Sequence, residues 1–276
     1  MGKMTRFYNS IAYRLQVGGL YPRDAFGTEP RATKEEYLAL FEEARASRPE
    51  WITELEQEFG FAVDSDWIDT LALHTQVVRK PSALNWSHGR VLYSVLRKYI
   101  DEASPELGAL AILETGTARG FSAVVLARAI IDSGKDGKIT SIDSLPHRRR
   151  QYWNCIDDHD GRKSRHELLL PWHEELALLD FVQGWSRRAI QQLTLQRVHF
   201  AFLDAQHTKD AVKAEFQWVS ERQLPGDIVM FDDVTESVFP GVVEAVRQIE
   251  TGEEYSVRFL GDSRERGYAI ATRVKD

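Results

Sequence analysis

Three aspartates and a histidine are the first residues in this chain whose types and spacing suggest chemistry. Asp204 ends the apolar run "VHFAFLDAQH", Asp232 and Asp233 end "GDIVMFDDVT", and His207 follows three residues after Asp204. Carboxylates at the ends of neighbouring strands of a parallel sheet open onto one crevice. Clustered there, they repel one another unless a cation lies between them. Hard oxygen ligands with room for water and a substrate oxygen suit octahedral Mg²⁺ better than zinc. A metal so held lowers the pKa of a bound hydroxyl and aims it, and a histidine beside it titrates near neutral pH, as a base should. The expected metal ligands are therefore Asp204, Asp232 and Asp233, and the expected catalytic residues His207 and Asp204. The plainer alternative is that Asp204 or Thr208 caps the helix that follows.

A second handle is "AILETGTARGFSAVVLARAI", residues 111–130, where an apolar run meets two glycines and leaves as an Ala-rich amphipathic segment. The spacing Glu114-x-Gly116-x-x-x-Gly120 fits neither a P-loop, which needs Lys after the second glycine, nor the G-x-G-x-x-G dinucleotide turn. Glu114 at the strand end would repel a pyrophosphate but attract an ammonium or sulfonium centre. Asp143, ending the next strand, sits where such sheets present an acid to a ribose diol. Adenosine joined to an amino acid meets both demands.

These residues need strand ends to hold them, and the sequence supplies the strands. From residue 109, short apolar runs alternate with helical ones: "LAILET", then 122–132; "GKITSID"; "LDFVQG", then 186–193; "VHFAFLDA", then 208–221; "GDIVMFDD", then 240–250; finally "YSVRFLG" and "GYAIATRV" joined by "DSRERG". This order predicts an α/β fold, a doubly wound, mostly parallel seven-stranded sheet of Rossmann-like type closed by an antiparallel terminal hairpin. Residues 1–80 read as an N-terminal helical extension, with amphipathic helices in "TKEEYLALFEEARASRPEWITELEQEFG", and residues 81–276 as the ligand-binding domain. A further helix is expected from about His88 to Ile100.

The glycine turn and the acids resemble the S-adenosylmethionine site of class I methyltransferases. More narrowly, they are similar to the metal-dependent small-molecule O-methyltransferases: the catechol type and its antibiotic-sugar and cephalosporin-tailoring relatives. The resemblance covers about residues 80–273. It implies that Glu114, Gly116, Gly120 and Ser122 hold the methionine end of S-adenosylmethionine and that Asp143 takes the ribose. It also implies that Gly184, Trp185 and Ser186 in "QGWSRRAIQQL" surround the adenine, and that His88 and Gly89 in "NWSHGRVLY" lie over the cofactor. His207 stands where the catechol enzymes have a lysine. Related enzymes often read Asp-Gly-Asp-His at Asp204-Ala205-Gln206-His207, so one acid is missing here. The implied reaction is Mg²⁺-assisted methyl transfer to a hydroxyl of a small molecule, a sugar or secondary metabolite. The alternatives are a metal-independent N- or C-methyltransferase, and a non-catalytic or hydroxylase-associated S-adenosylmethionine-binding protein.

Bulk properties narrow the partners. A net charge of −7 argues against a nucleic-acid-seeking surface, and no stretch approaches the roughly 20 apolar residues of a membrane span. Cys155 is the only cysteine, which excludes a disulfide framework and suits a reducing, cytoplasmic compartment. The expected partner is a small hydroxylated acceptor, with no nucleic acid and no membrane, and a homodimer as the assembly. Arg148, Arg149 and Arg150 beside Tyr152 and Trp153 read either as a grip on an anionic acceptor or as a solvated loop. Residues 156–178 read as a substrate lid or interface. The segment with His74, Arg79, Lys80 and Trp86 either closes the acceptor pocket or packs the extension onto the domain.

Overall fold

The computed structural model describes residues 24–103, 108–262 and 266–275. Each expected apolar run becomes a strand: β1 (Leu110–Thr115), β2 (Gly137–Asp143), β3 (Leu179–Gln183), β4 (Phe200–Leu203), β5 (Ile228–Phe231), β6 (Tyr255–Asp262) and β7 (Arg266–Arg273). They form one sheet in the order β3-β2-β1-β4-β5-β7-β6. The first five strands are mutually parallel, and β7 runs antiparallel to both β5 and β6. Residues 263–265 of the connection "DSRERG" lie outside the described residues.

β4 and β5 are apolar throughout because both faces of the sheet are covered there. Successive side chains alternate: Ile112, Phe200, Phe202 and Met230 enter one core, while Leu113, Ala201, Leu203, Val229 and Phe231 enter the other. On the first face lie α1 (Lys34–Arg45), α2 (Glu50–Phe59), α3 (Ser65–Thr75), α4 (Ser87–Glu102) and α5 (Phe121–Ser133). On the second lie α6 (Lys209–Ser220) and α7 (Pro240–Thr251). The extension divides into separate helices for local reasons: a Thr33–Glu36 capping box opens α1, and Gly60, at φ +80°, ends α2. Tyr37, Ile52 and Leu71 belong to the same core as Val124 and Phe200, so these helices pack as a layer on the sheet. Residues 1–23 of the extension lie outside the described residues.

One expected element differs. The helix over 186–193 is one turn, Ser186–Ala189, followed by a tighter turn, Ile190–Gln192. Residues 156–178 fold into short helical turns, and Trp153, Cys155 and Leu168 form a small core with Phe26 and Leu145. Among the described residues, no helix is long and apolar enough to cross a membrane.

The chain reverses its strand order at β1, which has β2 on one side and β4 on the other. The crevice beyond the C-terminal ends of β1 and β4 is thus the place where such a sheet takes a ligand.

Candidate active site

The turn after β1 is held where only glycine fits. Gly116 has φ +97°, and a Cβ there would lie 2.1 Å from the Asp204 carbonyl oxygen. The ends of β1 and β4 therefore touch through bare backbone. Gly120, at φ +94°, opens α5, and its N–H donates to the Thr117 carbonyl at 2.7 Å. Between the two glycines Ala118 is also left-handed, with φ +46°. An alanine in that region costs about 1–2 kcal/mol and persists only where its surroundings fix it.

The alternation of side chains sends Glu114 and Thr115 to opposite faces. Glu114 is fully buried on the α5 side, where the Ser141 hydroxyl donates to its Oε2. Burial pushes its pKa up, and the Ser122 and Ser141 hydroxyls and the Arg165 guanidinium oppose that shift. Its Oε1 has no hydrogen-bond partner, an open acceptor in a dry place. Ser122, in the first turn of α5, is thus beside the carboxylate of Glu114. Thr115 faces α6, where its hydroxyl donates to Glu215 at 2.7 Å; the Ser186 hydroxyl donates to the same carboxylate at 2.5 Å. Glu215 is 2% exposed, and burial raises its pKa. It ties the turn after β3 to the end of β1, a role that no motif in the sequence announces.

Asp143 lies at the end of β2, and its carboxylate accepts the N–H groups of Ala118 at 2.6 Å and Leu145 at 2.5 Å. Its carbonyl accepts the Gly184 N–H at 2.8 Å, which brings the third turn into register. Gly116, Asp143, Gly184, Trp185 and Ser186 line one cleft together with Ile142, Ser144, Ala205 and Gln206. Five of the residues expected to hold the cofactor thus converge. His88 is not among the lining residues: it is buried, with its ring edge-on to Phe121 at 4.8 Å, and Gly89 lets α4 close on that same ring.

On the other side of the Gly116–Asp204 contact, Asp204, His207 and Asp233 each offer a ligand atom within 4.8 Å of the others. His207 Nε2 is 2.9 Å from Asp233 Oδ2 and 3.5 Å from Asp204 Oδ1, yet it makes no well-aligned hydrogen bond. Its ring stacks on Phe239 at 4.3 Å. Burial pushes the His207 pKa down, but the two carboxylates outweigh it and raise the value to about 10. Asp204 is raised to about 7, first by burial and then by the charge of Asp232. Asp233 has φ +55°, a second non-glycine left-handed residue at the site. Asp232 is 2% exposed, and its Oδ1 accepts the Asp233 N–H at 2.7 Å. It stands outside the ligand cluster. The geometry thus brings together two of the three expected aspartates, with His207 in the third place.

Several of the residues offered as acceptor contacts have partners within the fold. Arg149 lies 3.8 Å from Asp24, and Arg150 grips Glu167 with two nitrogens. Trp153 is fully buried. Trp86 stacks on Phe41 at 5.8 Å and donates to Asp69, while His74 meets Asp157 at 2.5 Å, so Trp86 packs against the extension and His74 ties the extension to the insertion between β2 and β3. Sequence reasoning also passed over Arg165, which is 1% exposed beneath the glycine turn.

Residues 113–234 match the methyltransferase domain family. No curated protein matches the sequence. The fold is similar to that of cofactor-bound Rv0187 from MTB, with a TM-score of 0.52 and 17% identity over 89% of this chain and 100% of that one. It is also similar to CalS11, a calicheamicin methyltransferase, with a TM-score of 0.51 and 15% identity over 92% and 100%. The O-methyltransferase from Bacillus cereus in complex with SAH gives 0.50 and 17% over 87% and 100%. At these identities the likeness is one of fold.

Proposed function

From a chain that carries a methyltransferase domain at residues 113–234, in the class I methyltransferase fold, we propose an S-adenosylmethionine-dependent enzyme that methylates a hydroxyl of a small molecule with a divalent cation at Asp204 and Asp233. One observation carries the reading. The Gly116–Asp204 backbone contact joins a cleft bounded by Asp143 and Trp185 directly to the Asp204–His207–Asp233 cluster, so a donor and an acceptor would meet across it.

The donor side fits the cofactor. Glu114 Oε1, buried and without a partner, would accept from the ammonium group, and the remaining lone pairs of Asp143 would accept from the ribose. The half-buried Trp185 would wall the adenine. Bound there, S-adenosylmethionine would supply the sulfonium methyl for in-line transfer to oxygen. Similar folds solved with S-adenosylmethionine or its product bound agree with this donor.

The acceptor side fits a hard cation: the Asp204 and Asp233 carboxylates converge, and beside them stands the His207 imidazole, whose Nε2 has no well-aligned hydrogen bond. A divalent cation would supply Lewis acidity that lowers the pKa of the acceptor hydroxyl. With the cation on Asp204 and Asp233, His207 Nε2, once relieved of its proton, can take the proton that the hydroxyl loses. Phe239, stacked on His207, fixes the ring and shields one side from water.

A metal-independent reading has one observation in its favour. As an imidazolium, His207 itself meets the charge of both carboxylates. Methyl transfer to a panel of hydroxylated acceptors, with Mg²⁺ and with excess EDTA, tests the choice. Activity lost in EDTA and in Asp233→Ala supports the metal-assisted reading, and full turnover in EDTA refutes it.

A further inference from the structure

Arg165 opens the short helical turn Arg165–Leu168 within the insertion between β2 and β3, far from any recognisable motif. Long cationic side chains are rarely buried unless paired. This one is 1% exposed, with its guanidinium 5.6 Å from the Trp153 ring and 5.4 Å from the Phe181 ring. Its Nε donates to the Ala118 carbonyl at 2.9 Å. Its Nη2 lies 3.8 Å from Asp143 Oδ1 and has no hydrogen-bond partner.

Ala118 is therefore gripped from both sides. Asp143 takes its N–H, Arg165 gives to its carbonyl, and the grip falls on a residue whose left-handed φ of +46° needs external support. Charge supports the same arrangement. Glu114 and Asp143 are two carboxylates near one turn, and Arg165 is the buried cation that faces both. Among the described residues, Arg165 is the cation that offsets the rise of Glu114, which is otherwise faced by Ser122 of α5 and by Ser141 and Asp143 of β2.

We propose that Arg165 is a cofactor-positioning residue, which locks the glycine turn and the ribose-facing carboxylate Asp143 into one unit through Ala118. The inference rests on the S-adenosylmethionine reading. It assigns Arg165 no contact with the acceptor, so its removal acts on the donor. The rigid fork matters as well as the charge, because Nε bonds the Ala118 carbonyl while Nη2 is turned toward Asp143.

The test is calorimetric titration of S-adenosylhomocysteine into wild type, Arg165→Met, Arg165→Lys and the control Arg247→Met, at an exposed arginine of α7, together with steady-state kinetics. Arg165→Met should weaken binding at least tenfold and raise KM for S-adenosylmethionine in parallel, with kcat within about threefold. Arg165→Lys should recover part of the loss, and Arg247→Met should match wild type. Should Arg165→Met fail to fold, Arg165→Lys is combined with Asp143→Asn; strongly non-additive losses are expected, and additive ones overturn the coupling. Wild-type binding that Arg165→Met leaves within twofold overturns the inference alone. No binding by the wild type overturns the cofactor reading and the inference with it.

Discussion

Replacing Gly116 by alanine should damage this protein far more than replacing a glycine of similar backbone conformation elsewhere. The reference is Gly134, which ends α5 at φ +67° with nothing within 4 Å of where a Cβ would stand, so alanine there meets only the left-handed penalty of about 1 kcal/mol. At Gly116 the same kind of penalty applies at φ +97°, and the new Cβ would sit 2.1 Å from the Asp204 oxygen and 2.6 Å from its carbonyl carbon. Contacts under 3.0 Å essentially do not occur, and the obstacle is backbone. The ends of β1 and β4 must then part by about 1 Å, and the Asp204 N–H to Thr115 carbonyl bond at 2.9 Å lies in the path of that shift. Strain and the weakened contact together give about 3–5 kcal/mol for Gly116→Ala. At roughly 2–4 °C per kcal/mol, Tm should fall by about 6–20 °C against about 2–4 °C for Gly134→Ala. Urea unfolding followed by tryptophan fluorescence measures both stabilities. Destabilisation by Gly116→Ala within about 1 kcal/mol of Gly134→Ala would refute the reasoning.

Three further outcomes are expected. In metal-free protein the raised pKa of His207, about 10, means that its ion-pair contribution to stability is complete below its ordinary value of 6.5 and is lost as pH rises towards 10. An NMR titration in EDTA should leave His207 protonated at about pH 7.5, and a midpoint near its ordinary value would contradict the cluster geometry. Glu215→Ala strips two buried hydroxyls of their acceptor and should cost about 3 kcal/mol, with Glu215→Gln recovering about half in the same unfolding assay. A loss under about 0.5 kcal/mol would show that the Thr115–Glu215–Ser186 link does not hold the turn. Cys155 is fully buried, and burial, followed by the charges of Asp158 and Asp157, pushes its thiol up to about 12. It should resist iodoacetamide at about pH 8 until the protein unfolds; rapid alkylation of native protein is the contrary result.

The strands were legible because each is an apolar run long enough for its place and bounded by turn residues, and the acids stand at their ends. Gly116 and Gly120 declared the turn by type and spacing alone. The charged supports were not legible. Arg165 and Glu215 sit in segments where solvated arginines and glutamates are ordinary, and only the tertiary fold buries them. For the same reason the sequence does not show that the hydroxyls of Ser122 and Ser186 lie beside buried carboxylates, Glu114 and Glu215 respectively. The Asp232–Asp233 pair illustrates a different limit. Sequence locates both acids beyond one strand end, but only the fold, with Asp233 in a left-handed conformation, shows that Asp233 rather than Asp232 groups with Asp204 and His207.

The central claim, a cofactor cleft joined to a cation site, is tested most directly by calorimetric titration of S-adenosylhomocysteine and then Mg²⁺ into wild type and Asp233→Ala. Cofactor affinity in the micromolar range is predicted for both proteins, with Mg²⁺ uptake by the wild type alone. Absence of S-adenosylhomocysteine binding in the wild type would contradict the assignment of the cleft between Gly116, Asp143 and Trp185. Equal Mg²⁺ uptake by both proteins would contradict the assignment of Asp233 as a ligand.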